Sequence, residues 1–134
     1  MFRLCKTIIH RGEKGMENKT ANILGVNYTI IYSHDEKEYP LLAECNGYTD
    51  FTIKTILVRD HWDSEEDGTA MKDLDVLIKK ITRHEIIHAF LYESGLSNNS
   101  KASDCWADNE EMVDWIAIQF PKMTEIFEQI GVLK

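Results

Sequence analysis

The 134-residue sequence predicts an α+β domain: a small antiparallel sheet or hairpin packed on one long helix and followed by C-terminal helices. Three observations lead there. β-Branched and aromatic residues gather in short runs in the first half, bounded by turn residues. In the second half apolar residues recur three and four apart, as in Met71, Leu74, Leu77, Ile78 and Ile81, which is a helical stripe. The length suits one hydrophobic core, and no repeat or low-complexity segment divides it.

In order along the chain, residues 1–20 are basic and polar and match no core element. They read as an N-terminal arm before a single domain over 21–134, with Met16 as an alternative start. Ile23 to Tyr32, ILGVNYTIIY, reads as a strand. The charged stretch from Ser33 to Pro40 reads as a loop, and Leu41 to Cys45 is too short to classify. Asn46-Gly47 is a turn signal. Phe51 to Val58 is a second strand, with Thr52 and Lys54 alternating with apolar neighbours so that one face meets the core.

Arg59 to Gly68 is an acidic loop, and a helix follows from near Thr69 to about Ser94, with Gly95 placed for a left-handed cap. After a polar connector, Asp108 looks like an N-cap with Glu111 completing a capping box. That helix runs to Phe120 with Met112, Trp115, Ile116 and Gln119 on one side. Pro121 then opens a last helix to Ile130, with Gly131 after it.

A formal net charge of −8 argues against a nucleic-acid backbone as partner, since that partner needs clustered Lys and Arg. Cys5, Cys45 and Cys105 are odd in number, far apart and without a CxxC, which fits neither a disulfide framework nor a thiolate zinc site. No apolar run reaches the length of a membrane span, and the first residues lack a signal-peptide pattern, so the expected compartment is the cytoplasm and the expected thiols are reduced.

The chemistry concentrates in His84-Glu85-Ile86-Ile87-His88, an HExxH motif within the long predicted helix. Positions four apart share a helix face, so His84 and His88 can aim both imidazoles at one Zn²⁺, while Glu85 beside the first ligand can serve as a base without ligating. Two surface histidines on an ordinary helix would be the bland alternative. The apolar neighbours Ile81, Ile86, Ile87, Ala89 and Phe90 speak against it, because a buried His or Glu is costly without a partner. Catalytic zinc takes a third protein ligand. Glu110 is the candidate, with Asp108 and Glu111 as rivals; only Glu110 puts a carboxylate, Asp114, four residues on, where it can accept the free N–H of a ligating imidazole. First-turn acids also complement a helix dipole, which is their ordinary reading. Tyr92 and His61 are weaker candidates as oxyanion donors and read first as packing and loop residues.

HExxH followed at this distance by Glu and, four residues later, Asp resembles the gluzincin arrangement. HEIIHAFL together with Glu110-x-x-Val113-Asp114-x-Ile116-Ala117 is similar to the ImmA/IrrE-type metallopeptidases of phages, prophages and mobile elements, over roughly residues 23–120. The resemblance implies a minimal zincin-like fold, a Zn²⁺ cofactor held by His84, His88 and Glu110, Glu85 as general base and Asp114 behind the ligands. It implies a metallopeptidase acting on a protein or peptide substrate, and charge and hydropathy add the expectation of no nucleic-acid or membrane partner. No helix-turn-helix accompanies the motif, so cleavage of a repressor is not supported. The alternative is a phage-type protein-binding module that keeps the zinc-site fold with little or no hydrolysis; retention of Glu85 speaks against it.

Overall fold

A computed structural model of the chain describes residues 16–62, 73–97 and 106–134. Most of the expected N-terminal arm, Cys5, Cys105, Met71 and the expected helix start near Thr69 lie outside these residues. The fold is α+β: four strands, β1 (Lys19–Ile23), β2 (Val26–Ser33), β3 (Gly47–Asp50) and β4 (Thr55–Arg59), and two long helices, α1 (Leu74–Glu93) and α2 (Glu110–Gln129). The sheet order is β1-β2-β4-β3. It is mixed, not antiparallel as expected: β1/β2 and β3/β4 pair antiparallel, but the central β2/β4 pair is parallel.

The first expected strand, Ile23 to Tyr32, is two strands. Leu24 and Gly25 both have positive φ (50° and 89°), the conformation of a two-residue type I′ hairpin turn, and Ile23 pairs with Val26 across it. The Asn22 side chain accepts from the Gly25 N–H and donates to Asn27, tying the turn down. β1 thereby takes in Lys19 and Thr20, which composition alone assigns to the arm.

The second expected strand is also displaced. Phe51 to Lys54 form a turn, and the strand begins at Thr55. The Asp50 carboxylate accepts from both the Thr52 N–H (2.9 Å) and hydroxyl (2.6 Å), an Asx-type turn that needs no glycine or proline. Lys54 adopts a left-handed φ of 54° and is held there by its ion pair with Glu93 at 2.5 Å. Glu93 accepts from Tyr28 as well, and its carboxyl lies below the usual range, chiefly through the Lys54 hydrogen bond.

Asn46-Gly47 is not a turn; Gly47 opens β3. Its reason for being glycine is the close passage of α1. A Cβ built there would lie 2.7 Å from Ile81 Cγ2 and 3.0 Å from the Leu57 carbonyl oxygen. Gly47→Ala is therefore expected to lower stability by about 1–3 kcal/mol through overpacking, read as a shift in urea midpoint at constant slope. A midpoint equal to the wild type's would contradict this account of the contact.

The core lies between one sheet face and α1. Tyr28, Ile30 and Tyr32 of β2 and Ile56 and Val58 of β4 alternate onto that face, and Ile78, Ile81 and Ala89 of α1 cover them. The helix starts at an Asp73 cap, whose side chain accepts from Val76 N, and ends before Gly95 at a φ of 84°.

α2 begins one residue later than expected: Asn109, not Asp108, is the N-cap and accepts from Met112 N at 2.8 Å, so there is no capping box with Glu111. Nor does the helix stop at Phe120. It continues through Pro121 to Gln129 as one element. A proline at 121 has no N–H for the Ala117 carbonyl. The Arg83 guanidinium Nε supplies the missing donor at 2.7 Å. Arg83→Met should then cost about 1–2 kcal/mol in urea unfolding by stranding that carbonyl, and less in a Pro121→Ala background, where the helix bonds it itself. An equal cost in both backgrounds would refute the link.

Val113 and Ala117 are the fully covered residues of α2, small enough for α1 to approach. The side expected to be apolar turns outward in part, with Trp115 57% exposed. No described helix is long and apolar enough to cross a membrane.

Candidate metal centre

α1 and α2 cross where their functional residues meet. From α1, His84 and His88 stand one turn apart with their rings edge-to-face, centroids 4.8 Å apart. From the first turn of α2, Glu110 reaches both, with Oε2 2.9 Å from His84 Nε2 and Oε1 3.0 Å from His88 Nε2. The two Nε2 atoms are 3.1 Å apart. Behind them, Asp114 Oδ1 lies 3.2 Å from His84 Nδ1. The residues singled out by spacing thus come together, and among the described residues His84, His88 and Glu110 form the group able to share a metal ion. Of the rivals, Asp108 lines the same cleft, but neither it nor Glu111 joins that group.

The donor set fits a small divalent cation. With Nδ1–H given to Asp114, His84 Nε2 carries a lone pair, and it faces a carboxylate oxygen at 2.9 Å. His88 Nε2 and Glu110 face the same point, so a cation there would be held by all three side chains. Taking one donor atom from each residue, the three lie within 4.8 Å of one another, within reach of one shared ion.

Glu85 lines the same cleft without joining the three. It is 6% exposed and stands outside the three-residue group. Its Oε2 accepts the Thr49 hydroxyl of β3 at 2.9 Å, and the same hydroxyl lies 3.3 Å from the Glu85 carbonyl oxygen. Burial pushes the Glu85 carboxyl up and the nearby Glu110 charge adds to this, against the opposing pull of Thr49 and His84. Burial likewise pushes His88 down, favouring the neutral imidazole a metal requires. Asp114 is opposed by its own burial but held below the usual carboxylate range by Lys80, at 2.6 Å, and by His84.

These groups line an open cleft of about 630 Å³, walled on one side by Cys45 to Thr49 and on the other by Lys80, His84 and Glu85. Cys45 is a half-buried free thiol. β3 is an edge strand. Arg59 N donates to the Asn46 carbonyl at 2.8 Å, and antiparallel alternation then leaves the N–H and C=O of Gly47 and Thr49 turned toward the open edge.

Tyr92 and His61, the weaker oxyanion candidates, are not among the three residues or the cleft lining. Tyr92 stacks on Phe51, centroids 4.1 Å apart, under the Lys54 ammonium, and His61 tilts against His34. Sequence reading missed Thr49 and Lys80. Lys80 sits four residues before His84 and was within reach of the same helical-spacing rule; Thr49 had no such signal, because its partner is 36 residues away. Compared with protein-family models, with curated proteins and with solved structures, the chain matches none.

Proposed function

We propose that this chain is a zinc-dependent metallopeptidase of the zincin-like kind, hydrolysing peptide bonds of a protein or peptide substrate. The observation that carries the reading is the convergence of His84 Nε2, His88 Nε2 and Glu110 within 2.9–3.1 Å, with the buried Glu85 carboxylate beside the cluster but outside it. When bound, zinc supplies a Lewis acid that polarises a carbonyl and brings the pKa of water toward neutrality.

The chain's own groups do the rest. Asp114 takes the Nδ1–H of His84 and so turns Nε2 toward the ion site. Glu85 has Oε2 engaged by Thr49, which leaves Oε1 to take the proton of the attacking water and to return it to the amide nitrogen as that bond breaks. Burial raises its basicity, which suits that task near neutral pH. The outward N–H and C=O groups of Gly47 and Thr49 lie along the cleft wall, where an extended segment can add as a further strand.

Metal content and hydrolysis of an unstructured protein such as casein test this together. The purified chain should hold one zinc equivalent, lose both zinc and cleavage to a chelator, and regain both on zinc addition. A chain that takes up no zinc after reconstitution sinks the proposal.

A further inference from the structure

Resting on that reading, we propose that Thr49 is the positioning residue for Glu85: its hydroxyl holds the carboxylate in the cleft wall, clear of the ion site, and ties it to the strand edge that faces substrate. Glu85 and His84 are neighbours on α1, and a glutamate side chain is long enough to fold back onto an ion held by the residue beside it. A carboxylate that did so would occupy the position water needs. In the structure Glu85 stays out of the ligand group. The described contact that holds it away is the Thr49 hydroxyl, 2.9 Å from Oε2.

That contact is built in. The hydroxyl also lies 3.3 Å from the Glu85 carbonyl oxygen, so it is seated against the α1 backbone at the residue it orients. Gly47, two positions back on the same face of β3, has no side chain, and a Cβ there would come within 3.3 Å of Glu85 Cγ. The strand therefore meets the helix at Glu85 twice: once as close packing that limits where Cγ can go, once as a hydrogen bond that fixes the carboxylate. Glu85 is only 6% exposed, so few solvent molecules remain to replace the bond. Because Thr49 also turns its backbone N–H and C=O to the open edge, a segment added there is registered against the residue that orients the base.

The experiment compares wild type, Thr49→Val and Thr49→Ser as full chains, with three readouts: zinc stoichiometry, kcat and KM for an unstructured peptide, and the visible spectrum of the cobalt-substituted protein, which reports coordination number and geometry. Val keeps the shape and removes the donor; Ser keeps the donor. Val should bind one zinc with unchanged KM and lose about 10- to 100-fold in kcat, the usual size of an outer-sphere partner, while Ser recovers most of it. The cobalt band of the Val protein should weaken as Glu85 joins the ion. Wild-type kcat and an unchanged cobalt spectrum in Val, or failure of Ser to recover activity, overturn the role of Thr49 and leave the peptidase reading intact. Cobalt uptake without hydrolysis by the wild type overturns the peptidase reading, and the spectral comparison then decides the placement of Glu85 alone. A wild type that binds neither metal overturns both.

Discussion

Glu85→Gln is expected to slow peptide hydrolysis by about 10²- to 10⁴-fold, the loss that follows removal of a general base, while leaving one zinc per chain. The amide matches the carboxylate in size, and its oxygen can still accept the Thr49 hydroxyl, so the packing against β3 is kept. What it cannot do is take a proton. Since Glu85 stands outside the ligand group, the substitution does not touch the donors His84, His88 and Glu110. The same variant separates the peptidase from a module that binds a partner through the same fold: such a module would keep its function with glutamine at position 85. Equal cleavage by the variant and the wild type, measured on the same chelator-sensitive substrate, would remove Glu85 from the mechanism.

Glu110→Ala should weaken zinc binding by more than about 100-fold, beyond the 10- to 100-fold loss typical when only an outer partner of a ligand is removed. Glu110 bridges both imidazoles through its two oxygens, so its loss leaves two neutral nitrogens on one helix and no negative donor. Glu111→Ala is the matched control. It removes the same charge from the same first turn of α2 but no member of the cluster, and should bind zinc as the wild type does. Competition titration with a chromophoric chelator measures both. A weakened Glu111→Ala beside an unchanged Glu110→Ala would shift the third ligand by one residue and break the pairing of Asp114 with His84 as a guide to it.

The site was more legible in the sequence than the sheet that supports it. His84 with His88, and Glu110 with Asp114, are each one helical turn apart, a relation that survives any detail of tertiary packing. The strand boundaries depend on contacts that spacing does not carry. Gly47 looks like half of an Asn-Gly turn, but its missing side chain makes room for Ile81 and Glu85, residues far away in sequence. The real turn, at Phe51 to Lys54, contains no glycine or proline and is held by the Asp50 side chain and by Glu93 on a distant helix. The parallel β2/β4 pair is likewise set by the fold, since short consecutive strands are expected to pair antiparallel. Pro121 is the remaining case: a helix breaker by rule, tolerated because a guanidinium from the other helix replaces the bond it deletes.

That replacement has a consequence for how the two helices are aligned. Arg83 immediately precedes His84, and Ala117 lies three residues beyond Asp114, so the Arg83–Ala117 bond indexes one ligand-bearing helix against the other. The index is made of backbone oxygen and guanidinium, outside the cluster of His84, His88 and Glu110. The register of the two helices is thereby held by a contact that uses none of His84, His88 or Glu110, so Arg83→Met is the change that disturbs their alignment without altering a candidate ligand.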